Sequence, residues 1–473
     1  MGSGRLVDRL SAWLSQNEPA AGYLQLCIVN YAQILLAYAQ DGVPFALEVA
    51  LKARLDALYG VDNDDVLVQD YFVLVRFEAS ALEQARSDAT FPENLCRALS
   101  YAPVQCGGDS ALLNLRAAWF DSAQAMESGL PAAFSELRAA AGAVAFTEAE
   151  PAMPEQIRSD MASACRFFRK LQNGGVVLSF QPVMSIRQDG DPLFQEDGPS
   201  SLQKGDRLSS PENGHPLYYE ALLRCAATDV DIRAQDEEGG LSPDDDEYAS
   251  CGDIVASLER LHLVERLDAS VLWTVLRVLR QQPGVHLGCN LSALSLRRGG
   301  WWQSIFDALR DAPGLACRLT LEITETACIV DVDEAFEMLQ MLRDLGCRIA
   351  LDDMEAGFNT LDLAGRLRPD IIKLDKNLMH AARVSGSAWR LGSLVDASRM
   401  VCSYVVAEGV ESVEDMRSSL KAGAHAVQGF FVRDPSLRPP WLSAPVFVDD
   451  FFKPIDGSVL AASVRQAADQ LES

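Results

Sequence analysis

Glu334–Leu345 has helical spacing, Cys347-Arg-Ile-Ala-Leu351 follows as a short apolar run, and Asp352-Asp353 ends it. A second apolar run, Ile371-Ile-Lys373-Leu374, lies a short distance on and ends at Asp375. A short buried strand, a helix, and polar residues where the strand stops make a β/α unit. Outward from this segment, similar runs occur at Val176–Phe180, Tyr218–Leu223, His286–Leu291, Leu319–Ile323, Val405–Ala407 and Ala426–Phe431. Helical patterns such as Ala388–Met400 lie between most of them. Eight runs in this order predict a TIM-type (β/α)8 barrel of the α/β class. Periodicity alone leaves a doubly wound α/β sheet as the alternative.

Polar residues interrupt or end nearly every one of these runs: Glu220, Asn290, Glu322 with Glu325, Asp352 with Asp353, Lys373 with Asp375, Glu408 with Glu411, and Gln428. A single such residue is usually a cap or a strand end. In a parallel barrel, however, the C-terminal strand ends converge on one face, where catalytic groups collect. Carboxylates meeting there repel one another unless hard cations with oxygen ligands, Mg²⁺ or Mn²⁺, sit between them. Two such ions about 3.5–4 Å apart form a clamp for phosphodiester hydrolysis. Lys373, the one cation among the acids, suits the orientation of a water or the offsetting of phosphate charge.

The rest of the chain narrows the function classes. The formal charge is −26, which repels long nucleic acids and anionic membranes. The apolar runs are too short to span a bilayer, and Met1-Gly-Ser-Gly-Arg lacks the core of a secretory signal, so a cytoplasmic protein is expected. The 11 cysteines include no Cys-x-x-Cys pair and the five histidines are scattered, which argues against disulfides and against a thiolate or imidazole metal site. Residues 187–216 and 235–247 read as solvated insertions. Before residue 150 the chain reads as strand Gly22–Val29, helix Phe45–Leu58, hairpin Val66–Phe77, strand Leu112–Trp119 and helix Ala132–Ala143.

From about Leu178 to Pro435 the chain resembles the EAL family. The matching segments are Phe180-Gln-Pro-Val, Glu220-Ala-Leu-Leu-Arg224, Asn290-Leu-Ser, Glu322-Ile-Thr-Glu325, Asp352-Asp353, Asp370-Ile-Ile-Lys-Leu-Asp375, Ala407-Glu-Gly-Val-Glu411 and Gln428-Gly-Phe-Phe. The resemblance implies a modified TIM barrel that hydrolyses cyclic-di-GMP to linear pGpG with two Mg²⁺ or Mn²⁺ ions. It implies that Glu220, Asn290, Glu322 and Asp352 hold one ion, and that Asp352, Asp353 and Glu408 serve the second. By the same resemblance Lys373 positions the attacking water, Glu325 braces the loop after Asp353, Gln181 and Arg224 touch substrate, and Glu411 and Gln428 line the site. The family also implies a homodimer through the barrel; no protein partner is identified.

Two departures stand out. Asp353-Met-Glu-Ala-Gly-Phe-Asn-Thr-Leu361 replaces the family's usual Asp-Phe-Gly-Thr-Gly-Tyr-Ser-Ser-Leu, which predicts reduced turnover and keeps a non-hydrolysing cyclic-di-GMP receptor or scaffold as the second reading. The part before residue 150 resembles a decayed GGDEF domain, with Val68-Gln-Asp-Tyr-Phe72 in place of the signature, so cyclase activity is not expected. The expected organisation is a degenerate GGDEF-like regulatory domain at 1–150, a linker helix at 151–175, the EAL barrel at 176–440 and a tail at 441–473.

Overall fold

The computed structural model describes residues 22–38, 42–77, 83, 85–88, 90–106, 108–120, 153–186, 216–226, 248–298, 300–329, 331–354, 360–383 and 388–453. The predicted helix Ala132–Ala143, both insertions apart from Pro216 itself, and residues 355–359 of the altered loop lie outside them.

Strand Gly22–Ile28, buried at every position, pairs antiparallel with Phe72–Phe77 on one side and Leu115–Phe120 on the other. Val66–Gln69 completes this four-stranded sheet as its edge. Asp70, with φ of 53°, makes the tight turn between Val66–Gln69 and Phe72–Phe77. Aspartate tolerates that left-handed backbone better than most residues.

Eight further strands form a closed ring. They are β1 (Val176–Ser185), β2 (Pro216–Ala226), β3 (Leu287–Leu291), β4 (Leu319–Ile323), β5 (Arg348–Met354), β6 (Ile371–Leu374), β7 (Tyr404–Ala407) and β8 (Ala426–Val427). Neighbours from β2 to β8 are parallel, whereas β1 closes the ring antiparallel to both β2 and β8. The barrel is therefore not wholly parallel. A parallel pair needs a long crossover connection, whereas an antiparallel pair such as β1 and β2 needs none. Helices from the sequence between the other strands form the outer layer. Inside the ring, Val183, Tyr218, Ala350, Ile371, Val406 and Ala426 make a fully buried layer, in which small alanines leave room for the Tyr218 ring.

Three helices join the barrel to the N-terminal sheet: α1 (Met153–Gln172), α2 (Gly252–Arg260) and α3 (Val264–Gln281). Asp160 of α1, buried, accepts from Ser257 Oγ at 2.9 Å and Arg260 Nε at 2.8 Å. Arg116 pairs with Glu265, and Asn114 Nδ2 donates to the His262 carbonyl at 2.5 Å. Buried Arg266 pairs with Asp450 at 2.8 Å and donates to the carbonyls of Ser100 and Tyr101, each at 3.2 Å. Such buried charges are tolerated because each is paired.

Glu93 accepts from Ser304 Oγ at 3.0 Å across the same junction. Burial pushes its carboxyl up to about 7, against the opposing pull of Ser304 and Arg97. A raised carboxyl stabilises the fold fully below its ordinary value near 4.5 and loses that contribution as pH rises toward about 7. Glu93→Gln is therefore expected to melt at a more nearly constant temperature than wild type between pH 4.5 and 7. Parallel melting curves for the two proteins across that window would remove Glu93 as a cause.

The structure corrects the expectation drawn from the cysteines. Cys225 and Cys251, 26 residues apart, form a disulfide. The short strand Tyr248–Ser250 returns antiparallel along the end of β2, opposing Ala249 to Cys225 and bringing Cys251 alongside. That closeness comes from a hairpin and leaves no trace in cysteine spacing. No helix among the described residues is long and apolar enough to cross a membrane.

Candidate active site

Every strand of the ring supplies one polar residue to the same end of the barrel. In ring order from β1 these are Gln181, Glu220, Asn290, Glu322, Asp352 and Lys373, with Glu408 directly after β7 and Gln428 directly after β8. Register fixes the neighbours: Gln181 opposes Glu220, and Asn290 opposes Glu322.

Lys373, only 1% exposed, is the centre of the cluster. Its Nζ lies 3.1 Å from Glu220 Oε2, 2.7 Å from Glu322 Oε2, 2.8 Å from Asp352 Oδ1 and 2.8 Å from Glu408 Oε1. Burial disfavours the charged ammonium, but the four carboxylates outweigh it and hold the Lys373 pKa well above its ordinary value. One cation cannot neutralise four anions in a site that excludes water.

The carboxylates respond unequally. Burial alone would raise Glu220, but Lys373, the Gln428 amide at 2.6 Å and the Asn290 amide at 2.8 Å hold it below the usual range. Glu322 has fewer donors, Lys373 and a 3.3 Å bond from Tyr218 Oη, so burial with Glu220 and Asp352 nearby pushes it up to about 8. Glu408 is raised well above its ordinary value by burial. The site is thus short of positive charge.

Two buried oxygens, Glu322 Oε1 and Asn290 Oδ1, have no hydrogen-bond partner among the described residues. Carboxylate oxygens of Glu220, Glu322 and Asp352 lie within 4.8 Å of one another. An all-oxygen donor set with unused lone pairs and excess negative charge fits a hard divalent cation. The buried acidic triad is therefore a metal-competent site.

Consecutive residues in a strand point to opposite faces, so two adjacent aspartates should not both serve one site. At the end of β5 the pairing register shifts between Leu351 and Met354, and Asp353 takes φ of 45°. This bulge keeps Asp353 close to the cluster, as its carboxyl shows: burial, then Asp352, Glu325 and Asp375, push it up to about 7. Glu325 is likewise raised, first by burial and then by Asp352 and Asp375. The residues Glu325 is expected to brace, 355–359, are among those not described.

Gln428 Nε2 also donates to Gln181 Oε1 at 3.1 Å, so both glutamines join the Glu220 network. Arg224 is partly buried on β2, close enough to Glu220 for the carboxylate to act on its charge. Glu411 is not brought to the cluster. After Glu408 the chain turns at Gly409, and Glu411 pairs instead with Arg383 at 3.0 Å in an exposed position.

The sequence reading missed two residues. Tyr218 precedes Glu220 by two positions and so shares its face of β2, a period-2 signal that was available. Gly288 opposes Glu220 on β3, and a Cβ there would overlap Glu322 Oε1 and lie 2.6 Å from Tyr218 Cε2. Gly288→Ala is expected to displace the Glu322 carboxylate, lower divalent-ion affinity at least tenfold and cost about 1–3 kcal/mol of stability. Calorimetric Mn²⁺ titration and a melting curve check both; unchanged affinity would show that Glu322 accommodates the methyl.

Residues 209–435 match the family model of the EAL domain. Among characterised relatives, the chain is 28% identical over 234 residues to cyclic di-GMP phosphodiesterase NbdA of Pseudomonas aeruginosa, covering 46% of this chain and 28% of that protein. It is 30% identical over 217 residues to cyclic di-GMP phosphodiesterase PdeR of Escherichia coli, covering 43% and 31%. The chain thus spans under a third of the length of these relatives. A solved structure of the PaMucR phosphodiesterase in complex with c-di-GMP aligns over 55% of this chain and 97% of its own, at 24% identity and a TM-score of 0.42. With the family match spanning seven of the eight barrel strands and their strand-end acids, the chain carries an EAL domain at residues 209–435.

Proposed function

We propose that the barrel hydrolyses cyclic-di-GMP to linear pGpG with two divalent ions, Mg²⁺ or Mn²⁺. The observation that carries this reading is the charge deficit at the strand ends: four carboxylates around one lysine, with Glu322 Oε1 and Asn290 Oδ1 left unbonded. Glu220, Asn290, Glu322 and Asp352 would hold one ion, and Asp352, Asp353 and Glu408 the other. Bound divalent ions supply Lewis-acid polarisation of the phosphodiester and neutralise its charge.

The chain's own groups divide the remaining work. Glu220 stays ionised at neutral pH, held in one orientation by donors from Asn290, Gln428 and Lys373. Lys373 keeps its proton and can donate to a water aligned for attack or to a phosphoryl oxygen. Gln181 and Gln428 present amides beside Glu220, and Arg224 offers a guanidinium to the second phosphate. We assign residues 1–150 a regulatory part and no cyclase chemistry.

Incubation of the full chain with cyclic-di-GMP and either metal, followed by chromatography, tests the proposal. The expected product is pGpG, formed only with metal. Turnover undiminished in excess EDTA would refute a metal-dependent route. Tight binding with no product in saturating metal would return the receptor reading.

A further inference from the structure

Outside the strand-end cluster, two buried carboxylates grip the loops that carry its ligands. Glu259, at the end of α2, is 8% exposed, and Asp268, on α3, is 5% exposed. Glu259 Oε1 accepts from Ser292 Oγ at 2.6 Å and from Thr326 Oγ1 at 2.7 Å. Ser292 lies two residues beyond Asn290, and Thr326 lies one beyond Glu325 and four beyond Glu322. Asp268 Oδ2 accepts from the Ser292 amide at 3.0 Å and from Ser295 Oγ at 2.6 Å. Ser292 is thereby held at its hydroxyl by one helix and at its amide by the next.

Burying two carboxylates side by side is costly. Burial lifts the Asp268 carboxyl to about 7 even though Ser295 and Ser292 oppose the shift. Leucine or alanine would fill either helix position more cheaply, so the pair points to a role other than packing. One oxygen atom of Glu259 ties the loop after β3 to the loop after β4, and those two strands carry the register partners Asn290 and Glu322. Each of the two also carries a buried oxygen with no hydrogen-bond partner among the described residues. Groups that orient metal ligands from behind commonly contribute 10–100-fold in metal affinity.

We propose that Glu259 is a positioning residue for the metal site, fixing Asn290 and Glu322 relative to each other through Ser292 and Thr326, with Asp268 securing the Ser292 backbone. The inference rests on the metal reading above. It also gives the barrel's N-terminal contacts a route to the chemistry, since Asn114 and Arg116 attach between Glu259 and Asp268, at the His262 carbonyl and at Glu265 in the first turn of α3.

Mn²⁺ binding to the full chain, measured by calorimetry alongside melting temperature, tests it. Glu259→Leu removes the acceptor and is expected to weaken Mn²⁺ binding by roughly 10–100-fold. Glu259→Gln keeps an oxygen that can accept both hydroxyls and is expected to bind within about threefold of wild type. A purely structural role would lower the melting temperature of the Leu variant and leave its Mn²⁺ constant unchanged. Should that variant not fold, Thr326→Val cuts the tie at its more exposed end and is expected to weaken binding several-fold. Wild-type affinity in every folded variant overturns the positioning role alone. Absence of Mn²⁺ binding by wild type overturns the metal reading, and the positioning role with it.

Discussion

Glu220→Ala is expected to lower cyclic-di-GMP hydrolysis by roughly 10³-fold or more while the protein still folds. The magnitude follows from the chemistry a lost ligand removes: metal polarisation is worth several kcal/mol of transition-state stabilisation, and each 1.36 kcal/mol is tenfold in rate. Glu220 is well placed to have this effect. Within the strand-end cluster it is the carboxylate with the most donors, accepting from Asn290, Gln428 and Lys373. Removing it takes one acceptor from each of these donors as well as one ligand from the proposed metal site. Retention of fold is expected because the layer beneath, from Val183 to Ala426, does not depend on the carboxylate. Initial rates at saturating metal and far-ultraviolet circular dichroism decide the matter. A folded variant with near wild-type turnover would remove Glu220 from the machinery, and an unfolded one would make it a structural residue.

Lys373→Met is expected to abolish turnover and, in EDTA, to lower the melting temperature by roughly 10 °C. Methionine fills a similar volume, so packing changes little. The loss is electrostatic: Glu220, Glu322, Asp352 and Glu408 surrender their shared cation. Taking one partner from a buried ion pair costs about 3–5 kcal/mol, because the remaining charge stays buried. Added Mn²⁺ should then recover more stability in the variant than in wild type, since the ion takes over the lysine's charge. It should not recover turnover, because the donor for water or phosphate is gone. Equal Mn²⁺ stabilisation of the two proteins would show that the lysine and the ion do not share these carboxylates.

Much of the site could be read before the fold was known, for a physical reason. A barrel strand is apolar almost throughout, so the one polar residue it carries toward the open end is conspicuous, as Glu322 is in Leu-Thr-Leu-Glu-Ile. Ring order follows from chain order once the strands are parallel, which brings distant residues together without further information. What escaped depends on local backbone geometry or on return paths. The bulge that gathers Asp352 and Asp353 is a property of φ, and Glu411 strays because Arg383 captures it. The Cys225–Cys251 bond required knowing that a hairpin forms. Glu259 and Asp268 sit in helices whose pattern looks ordinary; only the loops they reach reveal their use.

The reversed first strand sorts the chain's insertions by what they are able to disturb. Because β1 runs against its neighbours, its last residue, Ser185, pairs with Ala426 at the start of β8, and Met184 faces Pro216 at the start of β2. The ends of the segment between β1 and β2 therefore lie four residues along their strands from Gln181 and Glu220, on the side away from the strand-end acids. The chain leaves β2 at Ala226 and returns at Tyr248 on the opposite rim, and there the Cys225–Cys251 bond joins the two ends. Residues added at Ser185 or Pro216 would enter at the end of the barrel away from the acids. Residues added between Ala226 and Tyr248 would enter at the rim toward which the acids point, which makes one end of this barrel a place for evolutionary experiment and the other a place of restraint.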